Sequence, residues 1–504
     1  MAANISIPEF YNGQSIFLTG GTGFIGKVLV EKLLRSCPGI ENVYMLCRSK
    51  KGKNINERFE EITSSPVFNL LREQNPQALN KIILIEGDIA MLEMGISKTD
   101  QEILKDKVTI VMHSAATVSF TEPLKVAVNT NLRSVRELIC LAKDMKNLQS
   151  FVHISTAFAN WFELNVKEEV YPSIYDPDDI IELANRLPDE TLDKITPIFL
   201  GKHVNTYTFT KSLAENLVKR EKNLPTIIIK PSMVGASVSE PHVGWIDSLM
   251  GPARYIYYTT QGIFRSVYLP NRSAAIDFVP VDFTTNLTIA APWKCEIDKR
   301  TNSSMTYPYI YFSATGSVNQ LLWKDYFKNS RDFGRTIPPK NAIWYPQIRL
   351  HKTKIGHHID VALTHFIPAY LNDLVAKIKG QKAISFKRQK QVEDGYQESI
   401  FATAYPYKFQ AKNFNNVLDS MSETDKKEFY FDPKHINWKH YMHNYYLGMR
   451  KYITKETDIK APALMRRMNN GNIAENKNKE KDYGGGGGME KGDMQGWLFG
   501  CIFW

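Results

Sequence analysis

Thr19-Gly20-Gly21-Thr22-Gly23-Phe24-Ile25-Gly26 is the stretch on which the reading of this chain turns. Before it stands Ser15-Ile16-Phe17-Leu18, a short β-rich run; after it Val28, Leu29, Leu33 and Leu34 recur at helical spacing over 27–36. In a strand–turn–helix context the glycines at 20, 23 and 26 have separate jobs. They allow a tight turn, let the backbone approach a pyrophosphate, and bring helix against strand. The helix N-terminus presents N–H groups and the positive end of its dipole to phosphates. Thr19, Gly20, Gly23, Phe24, Ile25 and Gly26 are therefore candidate dinucleotide-binding residues.

Outward from this motif, strands are predicted at 43–47, 82–85, 109–113, 151–155 and 226–229, with helical patterns between them, notably 126–143 and 207–219. Strands alternating with helices imply a parallel sheet covered on both faces, so the fold class is α/β: a doubly wound, Rossmann-type sheet. From about residue 345 the pattern changes to amphipathic helices without strands (362–378, 412–420, 439–452). The expected organisation is a cofactor-binding domain over 1–345, a mainly helical C-terminal domain over 346–465, and a low-complexity tail over 466–504 with five glycines at 484–488.

Composition agrees with a folded, multi-domain chain. The 504 residues are 43% hydrophobic and 23% charged, which excludes disorder as the main state and a multi-span membrane protein. A net charge of +10 suits a polyanionic ligand or an acidic membrane surface. Nucleic-acid binding would need a motif that the sequence does not show. The five cysteines are scattered without a paired motif, which suggests a reducing compartment and no metal site. His357-His358 is discounted as a metal pair, because adjacent positions do not share a helix face. No secretory signal is expected, and the apolar terminus 497–504 is too short to cross a bilayer.

The second strand's end selects the dinucleotide. An acidic residue there would repel a 2′-phosphate, whereas this chain has Arg48, Lys50 and Lys51, which favours NADP. Asp88, ending the third strand, can accept from the adenine amino group. Ala115, in His113-Ser114-Ala115-Ala116, leaves room for the cofactor. The catalytic candidates are Tyr207 and Lys211, a phenol and an ammonium at i and i+4 on one helix face. A nearby ammonium is expected to lower the phenol's pKa, and the same lysine can hydrogen-bond the nicotinamide ribose. Ser155 and Thr156 at the end of the fifth strand supply a further hydroxyl.

These residues resemble the extended short-chain dehydrogenase/reductase pattern. Longer stretches resemble one branch, the alcohol-forming fatty acyl-CoA reductases: residues 27–38, Ala115-Ala116-Thr117-Val118-Ser119-Phe120, residues 152–157, 205–211 and 230–237, and in the helical part 429–432 and 437–448. The resemblance implies NADPH-dependent reduction of a long-chain acyl-CoA to a primary alcohol through a bound aldehyde, with release of CoA. Tyr207 and Thr156 would stabilise the oxyanion, Ser155 would support them, and Lys211 would tune Tyr207. It also implies a peroxisomal address with membrane association, cytoplasmic being the alternative because the apolar anchor segment of such relatives is not evident here. Two departures are Lys230, where the family usually shows arginine, and Gly21, where it shows alanine. The rival readings are a catalytically silent acyl-CoA- and NADP-binding relative and another extended-type reductase. Ala362, Phe366, Ala369 and Leu374 are read as a core stripe, or with Ile367 and Tyr370 as part of an acyl tunnel. Lys387-Arg388-Gln389-Lys390 is read as a solvated face that could also meet CoA phosphates or a membrane surface.

Overall fold

The structure, a computed structural model, describes residues 5–49, 52–301 and 306–456. Lys50, Lys51 and the tail over 466–504 lie outside the described residues. The chain forms two compact units, each assembled from segments that alternate along the sequence. The first comprises residues up to Val243, Asp277–Asn319 and Tyr407–His435; the second comprises Gly244–Ile276, Gln320–Pro406 and residues from Ile436 on. A single cut near 345 is thus not what the chain adopts.

In the first unit seven strands make one parallel sheet: β1 Ser15–Thr19, β2 Asn42–Cys47, β3 Ile82–Glu86, β4 Ile110–His113, β5 Ser150–Ile154, β6 Thr226–Pro231 and β7 Tyr309–Ser313. Their spatial order is β7-β6-β5-β4-β1-β2-β3, so the order reverses between β1 and β4. Ligands of such sheets bind outside the carboxyl ends of the strands at that switch point. The run at 309–313 was not among the expected strands.

Strands β1, β4, β5 and β6 are buried along their whole length and read as near-continuous apolar runs, as the inner strands of a parallel sheet require. Helices α1 Phe24–Ser36, α2 Lys98–Lys107, α3 Ser134–Lys143, α4 Thr206–Arg220 and α5 Val281–Thr301 cover it. Phe17, Val111 and Phe151 join Leu104 of α2, Leu138 of α3 and Leu213 of α4 in one apolar core. α1 and α5 pack together.

Residues 407–435 belong to this unit because of their aromatic side chains. Lys408–Phe409 pairs in parallel with Asn165–Val166, and the Phe409 ring stacks on Phe312 at 5.4 Å. Phe414, Phe429 and Phe431 are buried. The strand-free character expected beyond 345 is corrected accordingly. In the second unit, too, Arg349–His351 pairs with Ser266–Tyr268.

The second unit contains α6 Lys354–Val361, a π-helical turn at Ala362–Phe366, and α7 Ile367–Ile378. Of the stripe read as core, only Ala369 is buried; Phe366 is half-buried, and Ala362, Leu374, Ile367 and Tyr370 are exposed. Periodicity marks an apolar face but not whether another element covers it. In the basic run, Lys387, Arg388 and Lys390 are exposed while Gln389 is buried. His357 turns inward, its Nδ1 3.0 Å from Ser266 Oγ, while His358 is exposed.

Candidate active site

The glycine turn is shaped by contacts that leave no room for side chains. Gly20 has φ +78°, and a Cβ there would stand 2.6 Å from the Ala115 amide nitrogen, so the turn lies directly on the end of β4. A Cβ at Gly26 would stand 2.1 Å from the Gly20 carbonyl oxygen. Gly23, the N-cap of α1, brings no side chain to the first helical N–H groups. The result is a backbone-walled cradle at a helix N-terminus, which fits the pyrophosphate of a dinucleotide. Phe24 and Ile25 form the first turn of α1. Gly21 has its own reason for lacking the alanine methyl: the Met45 Sδ would be 2.5 Å away.

Thr19 serves the cradle from behind. Its buried hydroxyl lies 2.7 Å from His113 Nδ1 and accepts from the Ala115 N–H at 3.4 Å, which ties the ends of β1 and β4 together. His113 in turn stacks on His153 at 5.4 Å. Burial, with the Lys211 ammonium nearby, holds both imidazoles neutral, His113 down to about 3 and His153 well below its ordinary value.

At the ends of β2 and β3, Arg48 and Asp88, assigned separate parts of the cofactor by sequence, pair with each other at 2.7 Å. Asp88 also accepts from the Ala90 N–H at 3.0 Å. The Arg48 side chain is half exposed, so it is fixed in place yet open to an incoming group. Arg58, which the sequence reading did not single out, donates to the Arg48 carbonyl and brings a second guanidinium to this corner. Its only sequence signal was a cation eleven residues past the end of the strand.

α4 carries the chemistry. Its N-cap Asn205 accepts from the Thr208 N–H at 2.9 Å, placing Tyr207 in the first turn. Tyr207, Lys211 and Glu215 follow at four-residue intervals and so share one face. Thr156 lies close enough to Tyr207 for its hydroxyl to favour the phenolate, and the same hydroxyl accepts from the Phe158 N–H at 3.3 Å. Lys211, 2% exposed, donates to the Ile154 carbonyl at 2.6 Å. Ser155 donates to Glu215 at 2.5 Å, and Glu215 pairs with Lys230 at 2.7 Å, all three buried. Strand β5 therefore hands Thr156 to the phenol and Ser155 to the structural network behind it. Glu215 was missed by the sequence reading, although the four-residue spacing pointed to it. Lys230 gains its meaning as that carboxylate's only buried ion-pair partner among the described residues. The Phe120 ring lies 5.8 Å from that of Tyr207.

The expected lowering of the Tyr207 pKa is corrected. Burial pushes the phenol up to about 12, against which the Thr156 hydroxyl pulls only part of the way. Burial pulls Lys211 down to about 8, with Glu215 opposing. The site thus holds a protonated phenol beside a hydroxyl, a buried ammonium one turn on, and a phosphate cradle at the sheet's switch point. Such a set can polarise a carbonyl and give it a proton.

Comparison with known proteins places this arrangement. Two family models described as male sterility protein match the chain: an NAD-binding model over residues 18–288 and a Sterile model over 364–456. Fatty acyl-CoA reductase 1 of Homo sapiens is 36% identical over 466 residues, covering 92% of this chain and 89% of the human one. The chain belongs to the fatty acyl-CoA reductase family. Fatty acyl-CoA reductase wat of Drosophila melanogaster is 34% identical, covering 91% of this chain and 87% of its own. Among solved structures, the terminal R domain of the myxalamid biosynthetic pathway matches with TM-score 0.57 at 16% identity, over 89% of this chain and 92% of that one. The reductase domain of a nonribosomal peptide synthetase from Mycobacterium tuberculosis gives 0.55 at 18% identity, over 87% and 91%. These two share the fold. As a member of the reductase family with an NAD-binding domain, the chain is an oxidoreductase that uses a nicotinamide cofactor.

Proposed function

We propose that this fatty acyl-CoA reductase family member reduces a long-chain acyl-CoA to the primary alcohol through a bound aldehyde, with NADPH as reductant. The observation that carries the proposal is the meeting of Tyr207 and Thr156 side chains beside buried Lys211. A bound nicotinamide supplies the hydride in each of two reductions. Tyr207 and Thr156 hold the carbonyl oxygen and stabilise the charge that develops on it. The thioester stage ends when the oxyanion collapses to the aldehyde, the carbon–sulfur bond breaks with its electron pair going to sulfur, and the CoA thiolate takes a proton from solvent. At the aldehyde stage Tyr207 gives its proton to the alkoxide oxygen. A phenol held near 12 is protonated at neutral pH, the form a reduction needs. Lys211, on the same helix face, keeps a positive charge within the row that serves both cofactor ribose and phenol.

Preference for NADPH is supported by Arg48, held by Asp88 at the end of β2, and by Arg58 beside it. A peroxisomal address belongs to the same proposal; fluorescence of the tagged chain on organelles free of a peroxisomal marker would remove it. The test of the reaction is incubation of purified protein with palmitoyl-CoA and NADPH, with products separated by chromatography. Hexadecanol is expected. Hexadecanal alone would remove the second reduction, and no product across chain lengths would sink the assignment.

A further inference from the structure

The helical run 354–378 of the second unit has its faces inverted. His357, Val361, His365 and Ala369, spaced by four, are buried. Ile355, Ile359, Leu363, Ile367, Leu374 and Ile378 are 47–78% exposed. A four-residue step advances a 3.6-residue helix by about 400°, so an unbroken α-helix would rotate such a row by about 40° per step. The π turn at Ala362–Phe366 is wider than an α turn and takes back part of that drift, keeping the isoleucines and leucines in one stripe. The stripe is about 35 Å long at about 1.5 Å per residue. Ile384 and Phe386 extend the exposed apolar surface into the next helix.

Its charge surroundings are one-sided. Between residues 352 and 390 the chain carries eight lysine and arginine side chains against two carboxylates, Asp360 and Asp373. Both carboxylates are engaged: Asp360 by Arg349 at 2.8 Å and His351 at 2.9 Å, Asp373 by the Ser385 and Phe386 N–H groups at 2.8 and 2.9 Å. All eight cations are exposed, and Lys390 pairs with Asp394. Among the described residues no helix is long and apolar enough to cross a membrane.

We propose that the 355–378 stripe is a docking surface for the face of an anionic lipid bilayer, on which the helix lies flat with its isoleucines and leucines at the acyl boundary and its lysines among the headgroups. An apolar stripe flanked by cations is complementary to that surface. It is a poor fit to a second copy of itself, because the cations clustered at the two ends of each stripe would repel those of the other. None of these residues belongs to the catalytic or cofactor set.

The test is flotation of the full chain with phosphatidylcholine–phosphatidylserine vesicles and with pure phosphatidylcholine vesicles, with sedimentation velocity in parallel. The wild-type chain should float with the anionic vesicles. Affinity should fall about tenfold or more in Ile359→Glu/Leu363→Glu/Ile367→Glu. It should also fall in Lys377→Glu/Lys379→Glu/Lys382→Glu, which keeps the test decisive if the first variant folds poorly. Trp497→Ser/Phe499→Ser/Phe503→Ser should float as the wild type does. Unchanged flotation of both stripe variants, or loss confined to the terminal variant, would overturn the proposal. So would a stripe variant that converts a sedimenting dimer to a monomer with vesicle binding retained.

Discussion

Two helical rows in this molecule break the ordinary rule of amphipathic helices, in opposite directions. On α4, Lys211 and Glu215 carry charged groups into the interior, with Tyr207 half-buried at the head of the same row. On the 354–378 run, Ile355, Ile359, Leu363 and Ile367 carry apolar groups out to the surface. The first inversion is sustained because the buried charges of the row find partners: the Ile154 carbonyl for the ammonium, Ser155 and Lys230 for the carboxylate. Buried polar groups are tolerable on those terms. The second inversion has no covering element among the described residues, and a stripe of that kind marks a surface that meets something apolar. Both are places where the fold departs from what stability alone would choose, and both coincide with proposed functions.

The comparison breaks most visibly at Lys230. Lys230→Met leaves the buried Glu215 carboxylate unpaired and should cost about 3–5 kcal/mol in stability by denaturant titration. Survival within 1 kcal/mol would mean that the row does not depend on that pair. Next comes the cofactor corner: Arg48→Gln should weaken NADPH binding about 10- to 100-fold with little effect on NADH, measured by fluorescence titration. A smaller effect is the pH profile. Lys211, held down to about 8, is an ammonium below that pH and neutral above it. Apparent NADPH affinity should therefore fall as pH rises through about 8, and Lys211→Met should flatten the curve; Tyr207, near 12, does not titrate in this range. Smallest of all, Ile359→Glu should change folding stability by no more than about 0.5 kcal/mol in the same titration, since the side chain has no core to leave. A loss of several kcal/mol there would show that the stripe is covered after all.

The contrast also explains what the sequence could and could not tell. The glycine turn, the parallel strands and the Tyr207–Lys211 spacing were legible because each is written within a few residues: glycine spacing, apolar runs, an i,i+4 pair. What stayed hidden was set by distant partners. Arg48 and Asp88 are forty residues apart, and Ser155, Glu215 and Lys230 come from three elements, so no local pattern announces their pairing. The return of 407–435 to the first unit rests on aromatic burial against strands far back in the chain. Burial likewise set the direction of the Tyr207 shift, where spacing alone had suggested the reverse. The stripe at 355–378 was seen as apolar, but whether it faced core or solvent could not be read from its period.

The row on α4 is the centre of this account, and Tyr207→Phe tests it most directly. Single-turnover reduction of a bound acyl-CoA, with NADPH affinity determined on the same protein, should show a loss of about 10²- to 10⁴-fold in rate and cofactor binding within a few-fold of wild type. Reduction at an undiminished rate with intact NADPH binding would contradict the assignment of Tyr207 as the proton donor.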